Sequence, residues 1–170
     1  MPIVFAYGSN MLTAKMTCRA RSAVCLGRAC LQQFALRWNK KSTKDGSGKC
    51  SIDETRRPED LVWGVLFEMT AEDKKALDKF EGLGRGYGER QVTVSANGKP
   101  SCAYVYYATS IDPHIRPYDW YKEQVVAGAR QHGVPAEYIR QLEATPAVPD
   151  PNPDRAARER SLLDPQVSEI

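Results

Sequence analysis

From Leu61 to Met69 the chain reads LVWGVLFEM, nearly continuous in apolar residues, and no other stretch signals a β-strand as strongly. Thr70 follows, with Asp73 three positions on, in the manner of a capping box that opens a helix. Ala76, Leu77 and Phe80 give that helix one apolar stripe. A chain built around this unit mixes strands with helices. Ile3 to Tyr7 is a shorter apolar run rich in β-formers and reads as a buried first strand, and Ala23 to Trp38 carries Leu26, Phe34, Leu36 and Trp38 in partial alternation. Glu89 to Val94 and Cys102 to Ala108 flank Asn97-Gly98, a two-residue hairpin signal, so these strands should pair antiparallel.

Leu12 to Arg21 can be helical with Thr13 as its cap, whereas Asn39 to Lys49 is polar, contains glycine and reads as a mobile loop. Asp119 to His132 is helical, and a second helix follows Gly133 with Pro135 at its first position. Pro146 to Pro153 is proline-dense and stops regular structure. This divides the chain into a domain at 1–145 and a Pro-rich C-terminal extension at 146–170, in which Asp154 to Leu163 can form a short helix. The expected fold class is α+β: a mixed, largely antiparallel β-barrel of five or six strands flanked by helices.

A chain of 170 residues, 42% hydrophobic and 26% charged, has the size and composition of one globular domain with a real core. A net charge of +3 without a basic block interleaved with aromatics argues against nucleic-acid binding. No apolar run approaches the roughly 20 residues that span a bilayer, and Met1 to Ala6 lacks the basic start of a signal peptide. Five cysteines without a C-x-x-C pair suit free thiols in a reducing cytoplasm. His114 and His132 show no metal-binding spacing, so no metal is expected.

Two short elements carry chemistry. Glu81 ends the helix after Thr70, directly before Gly82. There a carboxylate faces the negative end of the helix dipole, and partial burial beside Phe80 would add a desolvation cost, both of which make it a better proton acceptor. General bases work best when tuned toward the operating pH. The plain alternative is a solvated surface glutamate, and Asp78, one turn earlier, is the rival carboxylate, more naturally a surface residue. The second element is Tyr7-Gly8-Ser9-Asn10, which follows the first strand. Gly8 permits close backbone approach, and successive N–H groups there can cradle an anion, although the same residues also make ordinary turns. Ser9 has no evident histidine partner for a nucleophilic triad. Tyr104, Tyr106 and Tyr107 suit sheet packing, with hydroxyls that can line a pocket at a strand end.

Taken together, Val4-Phe5-Ala6-Tyr7-Gly8-Ser9-Asn10, Val62-Trp63-Gly64-Val65, Leu77-Asp78-x-x-Glu81-Gly82 followed by Tyr87, and the helical pair Tyr121-Lys122…Gly128-Ala129…Gly133-x-Pro135-x-Glu137-Tyr138 resemble the γ-glutamylcyclotransferase family, with its AIG2-like fold, from Val4 to about Thr145. The resemblance implies a barrel with a pocket at its mouth and a cofactor-independent enzyme of glutathione metabolism that turns γ-glutamyl amino acids into 5-oxoproline and the free amino acid. Carried over by position, Glu81 is the acid/base. Val4, Phe5, Ala6, Tyr7, Gly8, Ser9 and Asn10 bind substrate, and Tyr87, Tyr106 and Tyr121 border the pocket. The partner implied is a small γ-glutamyl molecule, without nucleic acid or membrane, and a homodimer is permitted. Asn39 to Leu61 departs from the family pattern and can reshape selectivity. That leaves two alternatives: release of an amine or a tagged metabolite instead of an amino acid, or a non-catalytic sensor of γ-glutamyl metabolites.

Overall fold

The computed structural model describes residues 1–164. Five strands close a barrel in the order β1-β5-β2-β6-β7: β1 Ile3–Ala6, β2 Val24–Gln32, β5 Leu61–Glu68, β6 Tyr87–Ala96 and β7 Lys99–Ala108. All ladders are antiparallel except the closing one, where Val4 of β1 pairs in parallel with Tyr104 of β7. β5 lies between β1 and β2, with Val62, Val65, Leu66 and Phe67 fully or nearly fully buried, which is why its sequence lacks polar alternation. Asn97 and Gly98 form the turn between β6 and β7.

Two remaining strands, β3 Phe34–Lys41 and β4 Gly48–Glu54, form a separate antiparallel hairpin. Ala23 to Trp38 is therefore not one strand. Gln33 adopts a left-handed φ of 64°, its N–H donating to the Asp60 carbonyl and its carbonyl accepting from Thr55 N, and this turn separates β2 from β3. Asn39 to Lys49 is likewise a hairpin and not a loop. Its polarity reflects side chains that bond within the turn, such as Ser47 Oγ donating to Asp45 at 2.8 Å, and a face turned toward a cavity instead of the core.

Among the described residues five α-helices flank the barrel: α1 Thr13–Arg19, α2 Ala71–Glu81, α3 Asp119–Gln131, α4 Ala136–Glu143 and α5 Pro153–Ser161. α1 stops two residues short of expectation and Thr13 does not cap it; its hydroxyl instead meets His132 Nε2 at 3.1 Å. Pro135 sits one position before α4. Thr70 does cap α2, accepting from Asp73 N at 3.2 Å, while the Asp73 carboxylate turns to Ser22. Gly82 ends α2 with φ 74°, a left-handed C-cap that a side chain would strain, and the reversal leaves Glu81 on the last helical turn. α5 lies against α3, and its Ala156 is 7% exposed, so the packed core takes in residues beyond the proline-dense segment. Among the described residues no helix is long and apolar enough to cross a membrane.

The close seat of α3 on the Ser9–Met11 turn depends on Gly128. A Cβ there would stand 2.5 Å from the Leu12 nitrogen and 2.7 Å from the Met11 carbonyl carbon, both backbone atoms that cannot swing away. Gly128→Ala is therefore expected to lower stability by about 1–3 kcal/mol, measurable by urea denaturation.

Candidate active site

A cavity of about 640 Å³ opens at the barrel mouth, between the turn after β1, the end of α2, the β3–β4 hairpin and α5. Every residue singled out from sequence for substrate binding lines it: Val4 through Asn10, Tyr87, Tyr106 and Tyr121, together with Glu81. Residues 71 positions apart meet directly here, as Asn10 Nδ2 donates to Glu81 Oε1 at 2.8 Å. Arg19, at the end of α1, donates to the same Oε1 at 2.9 Å and to Asn10 Oδ1 at 2.7 Å. The Glu81 side chain is 14% exposed. Its charge is thus balanced by a guanidinium that the sequence reading, which relied on burial and the helix dipole, did not foresee. Among the described residues no donor reaches Oε2, which is left for a ligand.

Beside this carboxylate, the chain turns through a 3₁₀ segment at Ser9–Met11, where Met11 N donates to Gly8 O. Among the described residues no acceptor takes the N–H groups of Gly8, Ser9 or Asn10. These are the unpaired donors that open a helical turn, and they suit an anion.

The wall is aromatic and cross-tied. Tyr7 Oη donates to Tyr106 O at 2.6 Å, Tyr87 Oη to Cys50 O at 2.8 Å, and Cys50 N to Tyr121 Oη at 3.0 Å. Burial pushes the hydroxyls of Tyr7, Tyr87, Tyr106 and Tyr121 up from their ordinary value, and pushes the Cys50 thiol up to about 12. At neutral pH these groups stay protonated, acting as donors and walls and not as bases or nucleophiles. Asp78 does not compete with Glu81. It lies outside this cavity, accepting from Tyr106 Oη and Lys74 Nζ, each at 2.5 Å, so it is a half-buried structural ligand and not the surface residue expected.

Sequence reasoning missed most of the cations. Lys15 and Arg19 of α1, Lys40 and Lys49 of the hairpin, and Arg155 of α5 all reach the cavity. Lys15 bonds Gln124 and, at 3.4 Å, Glu159 of α5. Burial, reinforced by Arg19, draws the Lys15 ammonium down to about 7. Burial pushes Glu159 up, but the charge of Lys15 and the bonds from Gln124 and Lys15 outweigh it and hold the carboxyl below its usual range. For Lys15 the unfolded chain keeps its proton to about pH 10, whereas the folded chain releases it near 7. Folding therefore expels a proton in that window, and stability rises with pH through it. Lys15→Met is expected to flatten the dependence by up to about 1.4 kcal/mol per pH unit between 7 and 10, read from unfolding midpoints across that range.

Residues 61–142 match the AIG2-like family. Gamma-glutamylcyclotransferase from Bos taurus is 36% identical over 148 residues, covering 84% of this chain and 77% of that protein. The Homo sapiens protein of the same name is 33% identical over the same shares. Among solved structures, one titled gamma-glutamyl cyclotransferase superposes with a TM-score of 0.81 at 30% identity, covering 92% of this chain and 98% of its own.

Proposed function

The chain belongs to the gamma-glutamylcyclotransferase family, and on that premise we propose that its cavity converts γ-glutamyl amino acids to 5-oxoproline and the free amino acid, with Glu81 carrying the proton. The observation that carries this reading is the pinned carboxylate: Oε1 held by Arg19 and Asn10, Oε2 open, and unpaired amides alongside.

The substrate α-carboxylate lies against the Gly8, Ser9 and Asn10 amides, which fixes the neighbouring α-ammonium toward Glu81 Oε2. A free α-ammonium loses its proton near pH 8, so at neutral pH it needs a base before it can attack. Glu81 takes that proton, and the amine nitrogen bonds to the γ-carbonyl carbon of the same molecule. Closing a five-membered ring holds the reacting atoms together without a covalent enzyme intermediate. Glu81 then returns the proton to the departing nitrogen, the old amide C–N bond breaks, and the ring nitrogen gives up its second proton, which leaves on the ammonium of the free amino acid as 5-oxoproline is released. The neutral thiol of Cys50 and the protonated phenols around it do not themselves compete as nucleophiles.

The same reading places the protein in the cytoplasm, where its five thiols remain free, and in glutathione metabolism. Exposed Val24 and Leu26 on β2 allow a homodimer, and neither nucleic acid nor membrane takes part. Incubation with a panel of γ-glutamyl compounds tests the activity. It should yield 5-oxoproline and released amino acid in equal amounts, and free glutamate in place of 5-oxoproline would mark a hydrolase and overturn the proposal.

A further inference from the structure

Three of the five thiols are exposed, Cys18, Cys25 and Cys102, and they differ in what stands beside them. Among the described residues Cys18 and Cys102 have no hydrogen-bond partner, whereas Cys25 Sγ meets His132 Nδ1 at 3.5 Å. On the far side of the same ring, His132 Nε2 meets Thr13 Oγ1 at 3.1 Å. The three residues come from three elements: Cys25 from β2, His132 from the end of α3 and Thr13 from the start of α1. None of them lines the cavity, so the cluster is separate from the candidate active site. A nucleophile, a base within reach and a third group that orients the base form the arrangement that activates a side chain for attack.

The fold both presents the thiol and fixes the base. The ladder between β2 and β5 slips between Cys25 and Gly27, and at this bulge Val24, Cys25 and Leu26 are exposed in succession, against the alternation a regular strand would impose. The His132 ring stands edge-on to the fully buried Phe67 ring, with centres 6.0 Å apart, which limits its rotation. Placing the ring proton on Nε2, toward Thr13, leaves Nδ1 with a lone pair facing the thiol. Burial draws the imidazole down from its ordinary value, so at neutral pH the ring is uncharged and that lone pair can take a proton. His132 also caps the C-terminal end of α3, where the negative end of the helix dipole favours an imidazolium once it forms.

We infer that Cys25 and His132, with Thr13 behind them, form a thiol-modification site outside the cavity, at which Cys25 exchanges with small disulfides faster than a merely exposed thiol does. As the Cys25 sulfur attacks one sulfur of the disulfide, its proton passes to His132 Nδ1. A new S–S bond forms and the old one breaks. The departing sulfur leaves as a thiolate and takes up the proton from the imidazolium. Protein thiol and small disulfide thus become a mixed disulfide and a free small thiol, with no other oxidant needed. The same exchange run backwards by excess small thiol restores Cys25.

The probe is dithiobis(nitrobenzoate), an aromatic disulfide, added to the whole protein at neutral pH in less than one equivalent, with the mixed disulfide located by peptide mass mapping. Cys18 and Cys102 serve as references of matched exposure within the same molecule. Cys25 should carry about tenfold or more label than either, below the full effect of a well-placed general base. His132→Gln, whose amide cannot take the proton, should bring Cys25 down to the level of the other two. Thr13→Val should lower it a few fold by leaving the ring unoriented. In both variants the labelling of Cys18 and Cys102 should stay as it was, which a general loosening of the fold would not allow. Even labelling of the three exposed thiols overturns the inference, as does a Cys25 rate that His132→Gln leaves unchanged. If His132→Gln does not fold, the distribution of label in the unsubstituted protein and the Cys25 rate in Thr13→Val decide the matter.

Discussion

Glu81→Gln is expected to lower kcat at least about a hundredfold while KM moves little, the lower range for loss of a general acid–base. The amide is nearly isosteric, and its oxygen can still accept from Asn10 and Arg19 where Oε1 does now. What it cannot do is take a proton from an ammonium. The fold should survive, because the amide keeps the hydrogen bonds from Asn10 and Arg19 and only the charge of this largely buried pair is lost. Asp78→Asn supplies the contrast. Asp78 faces Lys74 and Tyr106 outside the cavity, so that variant should retain a rate within a few fold of the original. Steady-state kinetics on both variants separate the two carboxylates. Full activity in Glu81→Gln would remove Glu81 from the mechanism, and a larger loss in Asp78→Asn would assign its role to the wrong helical turn.

The second large effect concerns the segment after the proline-dense stretch. A chain ending at Thr145 loses Asp150, which accepts from the Trp120 indole at 2.7 Å, and loses the Val148 bridge to Pro117 and Asp119. It also uncovers the core around Ala156 and takes Glu159 away from Lys15 and Gln124. Removing one partner of a buried charged pair alone costs about 3 kcal/mol or more. For a chain of this size that corresponds to a fall in Tm of roughly 6–12 °C. Glu159→Gln should reproduce a smaller part of the loss. Differential scanning calorimetry decides the matter: a shortened chain melting within about 2 °C of the full one would make residues 146–170 an appendage.

That segment also shows where sequence reasoning stops. The proline cluster interrupts regular structure but does not end it, since α5 follows, and Ala156 and Glu159 bear no local sign that they fold back onto α3. Similarly, LVWGVLFEM and Asn97-Gly98 announce β5 and the β6–β7 hairpin because the information is local: apolar continuity in one case and turn chemistry in the other. The first half of β3 is legible in the alternation of Phe34, Leu36 and Trp38, whereas its second half and the start of β4 read as loop because their side chains are polar for a different reason, facing a cavity and each other. The site divides along the same line. Glu81 and the Gly8 turn carry motif-like surroundings, whereas Arg19, Lys40 and Lys15 are ordinary basic residues in sequence and gain meaning only from what lies opposite them. The capping pair Thr70 and Asp73 was legible only in part, since the Asp73 carboxylate left the helix for Ser22, 51 residues away.

The account depends on two distant stretches of chain presenting a proton acceptor and an anion cradle to one small molecule. A crystal structure of Glu81→Gln with γ-L-glutamyl-L-alanine bound tests this most directly. The substrate amine should lie within hydrogen-bond distance of side chain 81, with its α-carboxylate on the amides of Gly8, Ser9 and Asn10. A ligand whose amine points to solvent, or whose α-carboxylate sits elsewhere in the cavity, would contradict it.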